Sequence, residues 1–184
     1  MNILAISGSL RTDSSNTALV RAAAALAPPP VTITVYDGLA DLPHFTPENG
    51  NHAPASVREF RGLLQSADGV LICTPEYAYG MPGVLKNALD WTVSTGEFLN
   101  KPVAAMSASP SATGGEQAHA SLRLTLTALA AQIVEDAALI VPFVRTKFNA
   151  EGVLSDPATA RALRSALDAL ARAIAPSARQ EPDS

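Results

Sequence analysis

Residues 70–91 read VLICTPEYAYGMPGVLKNALDW. A continuous apolar run breaks at Thr74-Pro75, crosses a loop holding Glu76, Tyr77, Tyr79 and Gly80, and enters a helical segment behind Pro82-Gly83. An apolar run without polar alternation marks a strand buried on both faces, as strands of parallel sheets covered by helices are. In an open sheet of that kind ligands bind beyond the carboxyl ends of the strands, where loops converge and helix amino termini point inward. The stretch therefore calls for an α/β fold and supplies one wall of a ligand site.

The rest of the chain repeats the pattern. Asn2 to Ser7 is a short buried strand that runs into Gly8-Ser9-Leu10-Arg11-Thr12-Asp13-Ser14-Ser15-Asn16, and an Ala/Leu-rich helix follows from Asn16 to Leu26, ended by Pro28-Pro29-Pro30. Such a strand, polar loop and helix suit a phosphate, and equally an N-cap turn with spare serines, because neither the GxxxxGK[ST] nor the GxGxxG spacing is present. Val31 to Tyr36 alternates as a second strand. Asp37 follows it, and without the glycine fingerprint it reads only weakly as a ribose ligand. Leu39 to Pro54 is a long loop that contains His44 and His52, with His44 and Phe45 read as packing or interface residues. Val57, Phe60, Leu64 and Ala67 mark a helix that leads into the third strand, Val70 to Thr74.

Val103 to Ser107 is the fourth strand, opening into Ala108-Ser109-Pro110-Ser111-Ala112-Thr113-Gly114-Gly115 and a helix from Glu116 to Ala131. The paired glycines permit positive φ and close backbone approach to a flat ligand, or simply a loose helix start. Ala138 to Val141 is the fifth strand, stopped by Pro142. Asp156-Pro157 then supplies an N-cap and a proline at the first helical position, and Ala160, Leu163, Leu167, Leu170 and Ile174 form the apolar stripe of a last helix whose Arg161, Arg164 and Arg172 face solvent. Strands alternating with helices predict a three-layer α/β domain over residues 1–175, doubly wound around a five-stranded parallel sheet in the order 2-1-3-4-5. Residues 176–184 have the composition of a disordered tail.

Composition removes several classes of function. A net charge of −4, from 13 basic and 17 acidic residues, offers no footprint for nucleic acid or an anionic membrane. Cys73 is the single cysteine, placed in a core strand where nothing local activates it, and His44, His52 and His119 lack metal-ligand spacing. No apolar run reaches the roughly 18 residues needed to span a bilayer, and the amino terminus lacks signal-peptide character, so a cytoplasmic location is expected. No GxSxG elbow or paired-carboxylate arrangement points to hydrolysis. An anion cradle after the first strand and a flat, amide-lined slot after the third and fourth are what a mononucleotide such as FMN requires.

On these residues the chain resembles a known family. GSLRTDSSN at Gly8 to Asn16, together with PEYAYGMPGVLKNALDW at Pro75 to Trp91, is similar to the NADPH-dependent FMN reductases, the flavodoxin-like group that includes bacterial chromate and quinone reductases. The resemblance implies noncovalent FMN, reduction of that flavin by NADPH or NADH, ping-pong transfer to a small-molecule electron acceptor (a quinone, metal oxyanion, azo or nitro compound, or free flavin), and a homodimer or homotetramer. It puts Ser9, Arg11, Ser15 and Asn16 on the FMN phosphate, with the amide of Thr17. Pro75, Glu76, Tyr77 and Gly80 would line the isoalloxazine, with their loop amides stabilising its reduced form. Ser107, Gly114 and Gly115 would approach the ring or the ribityl chain. No protein acid or base is required, since the flavin carries the chemistry. Lys86, Asn87, Asp90 and Trp91 are expected to support the loop and a dimer surface.

The chain departs from the family pattern at Ala78, where the family loop carries asparagine and a polar group is lost beside the ring. It departs again at Glu116-Gln117, where relatives often place an arginine. Two other readings fit the same features: a flavodoxin-like FMN electron carrier that does not oxidise NAD(P)H directly, and a flavin-free phosphate-binding domain.

Overall fold

The computed structural model describes residues 1–49 and 53–175. The expectations for His52 and for the tail 176–184 lie outside the described residues. Strands β1 (Asn2–Ser7), β2 (Thr32–Tyr36), β3 (Gly69–Thr74) and β4 (Pro102–Ala108) alternate with helices α1 (Ser15–Leu26), α2 (Ala55–Ser66), α3 (Gly83–Asp90) and α4 (Glu116–Ala128). All pairings are parallel, and the order is β2-β1-β3-β4 with the outermost place beside β4.

That fifth place is filled in two pieces. β5 (Gln132–Ile133) pairs with Pro102 and Val103, and β6 (Leu139–Val141) pairs with Met106 to Ala108. A 3-10 turn at Glu135–Ala137 separates them and buries Ala137 in the core. The 2-1-3-4-5 order expected from sequence is therefore present, with its last strand split. A two-residue strand is too short to leave a periodic signal.

Alternation along the central strands divides the core into two layers. Ile3, Ala5, Leu71, Cys73, Ala104 and Met106 pack under α1 and α5 (Pro157–Ile174), through Leu19, Val20, Leu163 and Leu167. Leu4, Ile6, Val70, Ile72, Val103 and Ala105 turn the other way, onto Phe60, Leu64, Leu85 and Leu122 of α2, α3 and α4. Every residue of β3 is buried, as its unbroken apolar run requires. Cys73 is completely buried, and that burial pushes its thiol pKa up, so it is an inert core residue.

Because α1 leaves β1 toward one face and α3 leaves β3 toward the other, the two loops part between neighbouring strands and open a crevice at the carboxyl edge. Pro43 and Phe45 brace α3 from outside. Asn87 accepts a hydrogen bond from the Phe45 amide at 2.8 Å, and both Asn87 Nδ2 and Trp91 Nε1 donate to the Pro43 carbonyl. Phe45 packs edge-on against Trp91, with ring centroids 5.2 Å apart. Lys86 and Asp90 form an exposed i,i+4 ion pair. Asn87 and Trp91 thus hold the Pro43–Phe45 stretch, and not the 75–80 loop for which their support was expected.

On α4, His119 is buried against the sheet, and its Nε2 donates to the Ala105 carbonyl at 3.1 Å. Burial holds its pKa below the usual imidazole range, with the bond to Ala105 opposing the shift. The unfolded chain therefore takes up this proton at a higher pH than the folded one, near its ordinary value of about 6.5. Stability should be fully present above that pH and fall as the pH drops through and below it. The urea midpoint is expected to decrease between pH 7.5 and 5.5, and His119→Gln should flatten that slope; an unchanged slope would remove His119 as its cause.

Candidate functional site

The crevice begins with Gly8, whose N–H continues the ladder by donating to the Cys73 carbonyl at 2.9 Å. A Cβ here would come within 2.9 Å of Leu85 Cδ2, so the close approach of the first loop to α3 favours glycine. The loop then curls on its own hydroxyls. The Ser9 amide donates to Ser7 Oγ and the Arg11 amide to Ser9 Oγ, while Ser14 caps α1 by accepting from the Thr17 amide at 3.3 Å. The Ser15 and Asn16 amides stand at the first two helical positions, where no intrahelical carbonyl reaches them, and the positive end of the helix dipole points the same way.

A cavity of about 90 Å³ lies against this helix start, lined by Ser9, Arg11, Ser14, Ser15 and Asn16, with Pro75, Glu76 and Tyr77 opposite. A second, of about 360 Å³, lies beyond Tyr77 and Arg11, over Gly8, Leu10 and Pro82. The first has the dimensions and donor chemistry of an anion cradle: hydroxyls, helix amides and the exposed guanidinium of Arg11, which makes no salt bridge among the described residues. Asp13 and Glu76 are the acidic residues that line it.

Four of the residues singled out from sequence are committed to internal bonds. Asn16 is buried; its Nδ2 donates to the Ala108 carbonyl at 3.1 Å and its Oδ1 accepts from Cys73 Sγ at 3.1 Å. Its side chain ties the helix start to the ends of β3 and β4, and its backbone amide is what faces the cradle. The Thr17 amide is taken by the Ser14 cap and its hydroxyl meets Ser7 Oγ at 2.8 Å, so neither is free for a phosphate. Ser107 is fully buried and donates to the Gly114 carbonyl at 3.0 Å, securing the loop from behind without reaching the cavity. Glu76 lines the cavity, and its Oε2 accepts from the amides of Gln117 and Ala118 at 2.9 and 3.0 Å.

That last contact explains how α4 begins. Its cap position is Gly115, at φ 84°, which has no side chain to offer, and the Glu76 carboxylate reaches across from the neighbouring loop to serve instead. Gly114 is as constrained. At φ 64° it lies so close to Ile140 and Pro142 that a Cβ would sit 2.6 Å from Ile140 Cγ2. The glycine pair is thus a fixed junction between loops, and the loose-start reading does not hold.

Tyr77 and Gly80 exchange two backbone hydrogen bonds, at 3.0 and 3.1 Å, closing a two-residue turn with Ala78 at φ 49° and Tyr79 at φ 60°. Positive φ at both central residues is the type I′ geometry, which favours asparagine and glycine. Ala78 is therefore first a backbone matter: asparagine at this place is accounted for by its tolerance of the left-handed region, with no need of a polar contact to a ring.

Sequence reasoning missed Val144 and Arg145, which close the outer wall of the cradle beside Ser109 and Pro110. They follow β6 and are drawn in because Val144 donates to the Ser109 carbonyl and Phe143 to that of Ser111. Nothing in the local composition of residues 142–147 could have announced this.

Residues 1–146 match the family model described as NADPH-dependent FMN reductase. An NAD(P)H-dependent FMN reductase of Pseudomonas aeruginosa is 35% identical over 173 residues, which cover 92% of this chain and 93% of that protein. A quinone reductase of Escherichia coli K12 is 32% identical over 138 residues, 73% of each chain. Among solved structures, FerB of Paracoccus denitrificans, a flavoenzyme NAD(P)H:(acceptor) oxidoreductase, superposes with a TM-score of 0.85 at 29% identity, over 94% of this chain and 96% of that one.

Two substitutions test the geometry of the site. Ala78→Asn should relieve left-handed strain and stabilise the protein by up to about 1 kcal/mol in urea unfolding; a loss of stability would mean the turn is not held as described. Glu76→Ala should remove the borrowed cap of α4 and cost about 1 kcal/mol or more, read by the same method.

Proposed function

The chain belongs to the NADPH-dependent FMN reductase family, and from that membership we propose that residues 1–175 act as one FMN-binding domain that takes electrons from NADPH or NADH and passes them to a quinone. The observation that carries the reading is the meeting, at one strand edge, of an anion cradle and a loop shelf. Ser9, Arg11, Ser15 and the first amides of α1 supply the cradle; Pro75, Glu76 and Tyr77 supply the shelf. This donor set fits a flavin mononucleotide: hydroxyls, amides and a guanidinium for its phosphate, and a turn of small and aromatic residues for its ring. Bound flavin supplies the hydride-accepting and electron-donating chemistry, and the protein supplies position.

The chain's own groups divide the work. Arg11 and the α1 amides hold the phosphate, the closed Tyr77–Gly80 turn gives the ring a fixed shelf, and the Glu76 brace keeps the third and fourth loops at fixed separation. Tyr77, half exposed, borders both cavities, so donor and acceptor are proposed to use one open face in turn, giving ping-pong kinetics. Azo and nitro compounds, metal oxyanions and free flavin are the other acceptors to be tried. The dependence on NAD(P)H favours the cytoplasm. Exposed Tyr79 and Leu124 favour self-association as a homodimer or homotetramer, to be checked by light scattering.

The purified chain should show the absorbance of bound FMN, bleach anaerobically with NADPH or NADH, and regain its colour when a benzoquinone is added. Arg11→Ala should weaken FMN binding by roughly tenfold and leave the thermal midpoint of the flavin-free protein unchanged. Flavin-loaded protein that neither nicotinamide bleaches would instead favour a pure electron carrier.

A further inference from the structure

Arg145 comes to the cradle from outside the three loops that build it. It follows Phe143, which is held at φ 49° and ψ 38°, in the left-handed region that bulky side chains rarely adopt. Two backbone bonds keep the chain there: the Phe143 amide donates to the Ser111 carbonyl at 3.1 Å and the Val144 amide to that of Ser109 at 3.0 Å. The Phe143 ring is itself half exposed, so the strained turn gains no core contact from it. What the turn secures is buried Val144 and, next to it, exposed Arg145. The far side is tied as well, because the Lys147 carbonyl accepts from the Ser155 and Asp156 amides and the Lys147 ammonium lies 3.8 Å from the Asp156 carboxylate. Strain on the order of 1–3 kcal/mol at such a residue persists only where the surroundings over-determine it, and it concentrates at functional sites.

Charge gives this anchored arginine a use. A phosphate monoester carries about two negative charges at neutral pH. Arg11 answers one of them, and Asp13, on the same wall, works against it, while the Glu76 carboxylate is engaged by the Gln117 and Ala118 amides. Arg145 is the other cation that lines the cavity, and like Arg11 it makes no salt bridge among the described residues. It also lines a larger groove of about 640 Å³ between α1, the 144–154 segment and α5, which shares Asp13, Ser14 and Ser15 with the cradle. Arg145 therefore stands where the cradle opens into that groove. Building on the proposed flavin site, we infer that Arg145 is the second phosphate-binding cation of the cradle and a determinant of the choice of FMN over unphosphorylated riboflavin. One guanidinium comes from the loop after β1 and the other from the segment after β6, so a bound phosphate ties the sheet edge to the start of α1.

The test is binding and not turnover. The full chain, freed of flavin, is titrated with FMN and with riboflavin at low and at moderate salt, following quenching of flavin fluorescence. Arg145→Gln should weaken FMN about tenfold and leave riboflavin within about twofold, as the loss of one charge-assisted contact to the phosphate alone requires. An unchanged riboflavin constant also reports an intact fold. The fall in FMN affinity with added salt should be shallower in this variant. Arg145→Lys should recover part of the loss, because it keeps the charge without the planar fork. Arg164→Gln, which removes the same charge from the groove side only, should leave FMN affinity unchanged. Unaltered FMN affinity in Arg145→Gln would overturn the inference, as would equal weakening of both flavins or an equal loss in Arg164→Gln. If Arg145→Gln spares FMN and instead weakens NADPH binding to the FMN-loaded protein, the arginine belongs to the nicotinamide dinucleotide and the inference fails. An unaltered chain that binds FMN no better than riboflavin would bring down the phosphate cradle itself, which separates the two proposals.

Discussion

The site depends on keeping the ends of β1, β3 and β4 at one level, and a single buried side chain does much of this. Asn16 lies in the first turn of α1 yet bonds to Ala108 at the end of β4 and to Cys73 near the end of β3. A buried amide left without partners is costly, so the helix start has few other positions in which Asn16 is satisfied. The helix amides are thereby aimed at the crevice before any ligand arrives. Glu76 provides the second brace, from the loop after β3 to the first turn of α4. Together the two span all three loops that form the site.

These braces separate groups that build the site from groups left free for a ligand. Asn16, Thr17, Ser107 and Glu76 use polar atoms internally, whereas the Arg11 guanidinium and the first two amides of α1 remain open. Preorganised donors of this kind need little rearrangement to receive an anion. The 3-10 turn that splits the edge strand brings in a further element. After it, the chain returns to pair with β4 and passes beyond the sheet edge, carrying Val144 and Arg145 to the cradle. The same segment walls the larger groove, so the edge of the sheet takes part in both spaces.

The central strands were legible because their signal is local. An unbroken apolar run at Val70 to Thr74 and polar loops after the first, third and fourth strands announce a parallel sheet with its site at the carboxyl edge. Asp156 and Pro157 marked the start of α5, and the Asp156 carboxylate does accept from the Thr159 amide. The split edge strand was not legible, since two and three residues carry no period. Nor was the meaning of Ala78, because residue type alone does not reveal that φ there is positive.

The sequence by itself determined the layered α/β fold, the order of its strands and the family, since burial periodicity, turn residues and two motifs are all written within short windows. Only the tertiary structure decided which polar groups in the Val70 to Trp91 stretch and its neighbours are spent and which are free. The partners that settle the matter lie far along the chain: Ala108 is 92 residues from Asn16, and Gln117 is 41 from Glu76. Such bonds depend on strand register and helix direction, which no short window contains.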